Sequence, residues 1–402
     1  MTVSVPSFAK INLGLRIGAL RPDGFHELRT VYQTIALHDV VRVSVGRGAG
    51  IEIRCDDARV PTDSTNTCWR IVERAMAALK VRGRVVIEIE KRLPVQGGLG
   101  GASGNAVAAL LALERALKEK LSGEERLRVA AEVGSDLPLF LIGGTALGVG
   151  RGEEVYPLPD LASTACVVAM PDIAVSTPKA FQDWDSLCDS GIQPGEGKIG
   201  KGTAFSRTES STPICCHSEP ALAGEESAGR RGKQVPRLGD HSQANNSSSL
   251  GMTEFVSDGE VESVPKLTDH SHSDRMFMFS REISAWLSAA SERGRRRSGV
   301  SAKGGGRAEN PLLDLVRTGI ENDFERVVFP QYPELREVKS VLERAGARYA
   351  SLSGSGSALY GLFESRERAV AAVKRLNKSD VSAAVTSTLT RRQYWKRLQT
   401  SD

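Results

Sequence analysis

The feature that most restricts this chain is the run PVQGGLGGASGNA at 94–106, with glycines at 97, 98, 100 and 101. Side chains there would block close approach of the backbone to a polyanion, and their absence lets several N–H groups converge on one phosphate. What flanks the run gives it a frame. VVIEIEKRLPV (85–95) predicts a strand leading into a loop, and Ala106, Val107, Leu110, Leu113 and Leu117 recur at helical spacing just beyond. Strand, glycine loop and helix in that order point to a phosphate site at a helix N-terminus. A flexible strand-to-helix turn is the plainer alternative, because the run matches neither the dinucleotide fingerprint nor the lysine-containing phosphate loop. A second glycine run, GEGKIGKGT (195–203), is set aside: no Ser or Thr directly follows its lysine, and no apolar strand or periodic helix frames it.

Around this nucleus, residues 1–155 alternate apolar strand-like runs with two periodic helical stretches and are read as one domain. Residues 156–190 and 308–402 are read as a second. The latter includes a strand at 166–171, a helix at 331–345, strands at 348–352 and 358–363, a helix at 365–376 and a strand at 381–387, an order that suits a split βαβ sandwich. Between them, 191–307 shifts to Gly, Ser, Glu, Lys and Arg, with too few large apolar residues to offset the entropy of ordering it. It is expected to be a disordered insertion, although FMFSREISAWL (277–287) could form a short helix and order is expected to resume at Asn310.

The 402 residues carry a net charge of +4, too little to imply nucleic acid. No stretch approaches the roughly 20 apolar residues a bilayer span requires, and MTVSVPSFAKINLGL has neither a basic leader nor a cleavable apolar core, so a cytoplasmic protein is expected. Cysteines at 55, 68, 166, 188, 215 and 216 lack paired zinc spacing and are expected to be reduced. His217, His241, His270 and His272 share the 191–307 segment with Cys215 and Cys216, but their spacing is irregular and no metal site is assigned. The basic run Arg293 to Arg297 is read as a solvated linker.

Four segments in fixed order carry a resemblance: FAKINLGLRIGALRPDGFHELRTVYQ (8–33), the glycine run, GSDLPLFL (134–141) and SLSGSGSALYGLF (351–363). Together they resemble the GHMP kinase superfamily over most of 1–190 and 310–390. The resemblance implies an α+β, two-domain GHMP kinase fold, with a ribosomal protein S5 domain 2-like N-terminal domain and a ferredoxin-like split βαβ C-terminal domain. It also implies an enzyme using ATP with Mg2+, with nucleotide and acceptor in the cleft between domains. AKINL with DGFHEL narrows the implied acceptor to the 2-hydroxyl of a cytidine diphosphate-linked methylerythritol. Another kinase of the superfamily, acting on homoserine, mevalonate or a sugar, is the nearest rival; a non-catalytic nucleotide sensor on the same fold is the other.

Residue by residue, the resemblance makes Asp136 the base and Lys10 its electrostatic partner, roles that phosphoryl transfer requires. Position alone also allows Asp136 to be a helix N-cap, since Pro138 follows in the first turn. The ATP loop comprises Pro94, Val95, Gln96, Gly97, Gly98, Leu99, Gly100, Gly101, Ala102, Ser103 and Gly104. Asn12, Phe25, His26, Thr177 and Phe181 form the implied cytidine pocket, with the two phenylalanine rings sandwiching the base, which stacking stabilises by about 1 to 3 kcal/mol. Gly354, Ser355 and Gly356 close the cleft, or else form a plain hairpin turn. Four departures stand out: Phe25 stands where a tyrosine is usual in the family, Ala102 and Gly104 replace a glycine and a serine, and Gln96 replaces a small residue. Alanine at 102 costs about 1 to 2 kcal/mol if that position is left-handed, and a lost hydroxyl contact costs roughly 1.5 to 3.

Overall fold

The computed structural model describes residues 2–189 and 321–399, with Met276, Phe279, Arg281 and Ile283 between them. Apart from those four, which are helical, the expected insertion at 191–307 lies outside the described residues, and with it GEGKIGKGT, the four grouped histidines, Cys215, Cys216 and the Arg293 to Arg297 run. The expected return of order at Asn310 also falls outside, up to residue 320.

A mixed sheet forms from β1 (Thr2–Leu20), β2 (His26–Gly46), β3 (Gly50–Cys55), β4 (Arg84–Glu90), β5 (Thr145–Val149) and β6 (Glu154–Pro157). Its order is β3-β4-β2-β5-β6, with β1 antiparallel to β2 and β3 parallel to β4. Helices α1 (Thr67–Leu79), α2 (Gly101–Leu117), α3 (Gly123–Val133) and α4 (Leu137–Ile142) belong to the same half of the fold. As the alternation of VVIEIE predicts, Val85, Ile87 and Ile89 of β4 point into the core, joined there by Ala106, Val107, Leu110 and Leu113 of α2.

The second sheet is antiparallel, built from β7 (Ala165–Met170), β8 (Tyr349–Leu352), β9 (Leu359–Phe363) and β10 (Ser382–Ser387) in the order β10-β7-β9-β8. This is the strand order of a split βαβ unit. It is accompanied by α5 (Thr177–Asp189), α6 (Glu325–Gln331), α7 (Pro333–Arg344) and α8 (Arg366–Asn377), whereas α9 (Arg391–Gln399) packs through Tyr394 and Leu398 into the core of the first sheet. The helix expected at 331–345 begins instead at Pro333, and Gln331 ends α6. Tyr332 sits at φ −126° and ψ 75°, because the proline ring pushes the residue before it out of the helical region.

Strand β1 ties these parts together. Val3, Val5 and Phe8 pack with α1 and α2; Ala9, Ile11 and Leu13 enter a second cluster with Val168, Tyr360, Phe279 and Ile283; Leu15 and Ile17 enter a third with Phe181 and Trp184. A strand buried on both faces is expected to be nearly continuous in apolar residues. Lys10 and Asn12 break that rule, at 4% and 2% exposure, and polar groups so deeply placed need partners. The described cysteines at 55, 68, 166 and 188 are free thiols. No helix among the described residues is long and apolar enough to cross a membrane.

Candidate active site

Pleating places Lys10 and Asn12, two residues apart, on one face of β1, while Ala9, Ile11 and Leu13 face the core behind. Register shifts at Phe8/Ala9 and Asn12/Gly14 bracket this stretch, and such bulges re-aim side chains. A chain of hydrogen bonds fixes the pair: Thr30 Oγ1 donates to Gly14 O (2.7 Å), Asn12 Nδ2 donates to Thr30 Oγ1 (2.8 Å), and Lys10 Nζ donates to Asn12 Oδ1 (2.8 Å). The ammonium then faces Asp136, with Nζ 3.6 Å from Oδ2. Asn12, expected among the base-binding residues, is committed here to Lys10 and Thr30.

Asp136 does occupy the N-cap position of α4, yet its side chain makes no capping bond and Pro138 occupies the first turn. Its Oδ1 instead accepts from Tyr32 Oη at 3.0 Å. Burial, then the Asp136 charge, push the Tyr32 phenol well above its ordinary pKa, so it remains a donor at neutral pH. The sequence reading missed Tyr32. The signal was its register: Tyr32 lies opposite Asn12 on β2.

The glycine run meets this pair from the other side. Lys10 N donates to Leu99 O at 2.9 Å, and Leu99 is itself buried in the core, anchoring the loop with about 1.5 to 3 kcal/mol. A Cβ on Gly100 would stand 3.0 Å from both Lys10 Cγ and Phe140 Cζ. Gly100, at φ 68°, is the N-cap of α2 and supplies no side-chain cap, whereas Asn66 caps α1 and Ser122 with Glu125 forms a capping box on α3. The first N–H groups of α2 therefore lack the acceptor that a cap would supply. A second cation stands close: a Cβ on Gly101 would be 3.3 Å from Lys91 Nζ, which is held by buried Asp39 at 2.6 Å.

The left-handed cost expected at Ala102 does not arise, because Ala102 lies in the right-handed first turn of α2. Within residues 94–104 the non-glycine residue with positive φ is Gln96, at 60°. Gly104 has a steric reason: a Cβ there would be 2.9 Å from Phe8 O and from Ser7 Oγ, so the glycine lets α2 approach β1.

The Ser353–Ser357 segment joins the β8–β9 hairpin and packs directly on the glycine run. Ser353 Oγ donates to Gly98 O (2.9 Å) and Ala358 N to Gly97 O (3.2 Å). Asn322 Nδ2 donates to Leu352 O (2.9 Å) and Gly354 O (2.7 Å) from beneath. A Cβ on Gly354 would be 3.5 Å from Lys10 Nζ. Thr177, at the start of α5, reaches the same turn, its Oγ1 2.7 Å from Ser355 Oγ. Gly354, Ser355 and Gly356, expected to close the cleft or to form a plain hairpin turn, thus lie in the turn between β8 and β9, against the glycine run.

Of the remaining expected residues, Phe181 meets His26 and Phe25 does not. The His26 ring stacks on Phe181 (centroids 4.9 Å apart, 13° between planes), and Phe181 meets Phe324 edge-on. His26 Nε2 lies 2.7 Å from Asp185 Oδ1, a partner the sequence reading missed. Phe25 stands apart from this stack, half-buried, with the Arg151 guanidinium 4.8 Å from its ring centre. The structure thus brings His26 and Phe181 into direct contact, where the expectation had a base between Phe25 and Phe181.

Comparison with known proteins gives this geometry a family. The GHMP kinases N terminal domain matches residues 66–144, and the GHMP kinases C terminal domain matches 309–381. A 4-diphosphocytidyl-2-C-methyl-D-erythritol kinase of Solibacter usitatus is 31% identical over 97% of this chain and 91% of its own. The chain belongs to this family of GHMP kinases. A kinase of the same name from Acaryochloris marina is 29% identical over 90% of this chain and 87% of its own. A crystal structure of 4-(cytidine 5'-diphospho)-2C-methyl-D-erythritol kinase has the same fold, with a TM-score of 0.58 at 23% identity, covering 96% of this chain and 98% of its own. The chain is an ATP-dependent kinase of two-domain α+β fold, with a small molecule as acceptor.

Proposed function

We propose that this kinase transfers the γ-phosphoryl group of ATP to the 2-hydroxyl of 4-diphosphocytidyl-2-C-methyl-D-erythritol, a step of non-mevalonate isoprenoid precursor synthesis. The observation that carries the chemistry is the meeting of a carboxylate that caps no helix, Asp136, and a buried ammonium, Lys10, beside the uncapped start of α2. Phosphoryl transfer needs positioning, charge neutralisation and a group to accept the hydroxyl proton. Asp136 receives that proton. Lys10, 3.6 Å away, sets a positive charge beside the carboxylate and polarises the attacking oxygen. The α2 amides and residues 94–104 cradle the phosphates, and the 353–357 turn covers them.

Magnesium fits as a companion of the nucleotide. Among the described residues no group of three or more His, Cys, Asp or Glu could cage a metal, and Mg2+ is commonly held by substrate phosphates with one or two carboxylates. When bound it would neutralise charge on the β- and γ-phosphates, with Asp136 as the carboxylate at hand.

The acceptor follows from the named relatives and from the His26, Phe181 and Thr177 group, which supplies an aromatic surface and polar edges for a base. In this reading residues 1–155 hold ATP, while 156–190 and 308–402 complete the acceptor site. The need for ATP supports a cytoplasmic location. The test is ADP release on a panel of acceptors, with the product identified by phosphorus NMR. Turnover of the cytidine diphosphate-linked methylerythritol is expected, with homoserine, mevalonate and galactose far slower; a better rate on any of these, or ligand binding without ADP, refutes the assignment.

A further inference from the structure

We propose that Asp185 is a positioning residue that makes this site prefer cytosine to uracil, by holding His26 in the tautomer whose Nδ1 accepts a hydrogen bond. The inference deepens the functional reading above and rests on it for the location of the base. Its foundation is an unmet group. His26 is 3% exposed, and its buried Nδ1 has no hydrogen-bond partner among the described residues. Such an atom carries a desolvation penalty that a ligand can relieve.

What the atom can do is decided at the other side of the ring. Asp185 Oδ1 lies 2.7 Å from Nε2, and an ionised carboxylate only accepts. The proton of the neutral imidazole therefore sits on Nε2, and Nδ1 offers a lone pair. Stacking on Phe181, itself wedged edge-on against Phe324, keeps the ring from turning to offer another face. A buried acceptor selects a donor. Cytosine presents a 4-amino group where uracil presents a carbonyl, and the carbonyl would set acceptor against acceptor, which is discrimination by an unfavourable contact.

Asp185 can be altered without disturbing the core. Its side chain is 48% exposed in the last turns of α5, while Thr177 at the other end of that helix reaches the cleft-closing turn. Helix α5 thus couples the base-reading histidine to the segment over the phosphates. In Asp185→Asn the carboxamide can donate to Nε2, which moves the ring proton to Nδ1 and reverses what His26 presents.

The experiment titrates wild type, Asp185→Asn and Asp185→Glu calorimetrically with cytidine and uridine diphosphate-linked methylerythritol, and measures ADP release alongside. Wild type is expected to bind the cytidine ligand about 10- to 100-fold more tightly. Asp185→Glu should keep that ratio and Asp185→Asn should bring it to one or below. Nitrogen-15 NMR of free wild type should show His26 protonated at Nε2. A ratio unchanged in Asp185→Asn, equal binding of both ligands by wild type, or a proton on Nδ1 of the free protein overturns the proposal. A ratio that follows residue 185 with no ADP formed from either ligand sustains the proposal while refuting the kinase reading.

Discussion

Replacing Gly98 by alanine tests whether the glycine run and the Ser353–Ser357 turn form one packed unit. Gly98 has φ 71°, and a Cβ built there would stand 2.1 Å from Ser353 O and 3.1 Å from Gly356 O. These are backbone atoms, so no side-chain rotation relieves the overlap, and the two segments must separate by more than 1 Å to restore ordinary contact. Separation threatens the bonds from Ser353 Oγ to Gly98 O and from Ala358 N to Gly97 O, each contributing about 0.5 to 1.5 kcal/mol. The left-handed backbone adds about 1 to 2 kcal/mol. Together these put the loss of stability at about 2 to 5 kcal/mol. Gly24→Ala is the internal control: its φ is 81°, but a Cβ there meets nothing within 4 Å, so only the backbone cost applies. Urea unfolding of both variants, at unchanged m value, reads the difference. The ATP KM of Gly98→Ala should also rise, because the loop proposed to hold the phosphates is displaced. A Gly98→Ala protein no less stable than Gly24→Ala would refute the close packing.

Tyr32→Phe removes the donor to Asp136 Oδ1 and leaves the ring in place; steady-state kinetics should show kcat lower by about 2- to 12-fold, with little change in either KM. Asn322→Ala strands the carbonyls of Leu352 and Gly354 beneath the turn, and a denaturant melt should show a loss of roughly 2 to 4 kcal/mol. Burial pushes the Cys68 thiol up to about 12, so mass spectrometry after iodoacetamide at pH 8 should find Cys68 unmodified in folded protein and alkylated once urea unfolds it.

The parts of this fold visible in the sequence were those with local physical signatures. Alternation marked β4, the 3.6 spacing marked α2, and clustered glycines marked the junction where the backbone must be approached closely. The ordering of the C-terminal strands and helices was legible in the same way, with Pro333 adding a break between α6 and α7 that periodicity alone overlooked. Lys10 and Asp136 were named through resemblance, since a lysine in a strand or an aspartate before a helix has no signature of its own. Tyr32, Lys91 and Asp185 were invisible because their partners are distant in sequence: the contacts Tyr32–Asp136, Lys91–Asp39 and Asp185–His26 exist only after the sheets and helices have assembled. Conformation at single positions was equally hidden. Ala102 escapes the left-handed backbone because the helix begins one residue before it, while Gln96 adopts that backbone instead.

At the root of the account, one carboxylate receives the acceptor proton beside an ammonium at the glycine loop. The measurement closest to that statement is single-turnover phosphoryl transfer by Asp136→Asn, with ATP and 4-diphosphocytidyl-2-C-methyl-D-erythritol both shown to be bound. The rate should fall by about 10²- to 10⁴-fold while both ligands still bind. A rate equal to that of wild type would place the base elsewhere and contradict the account.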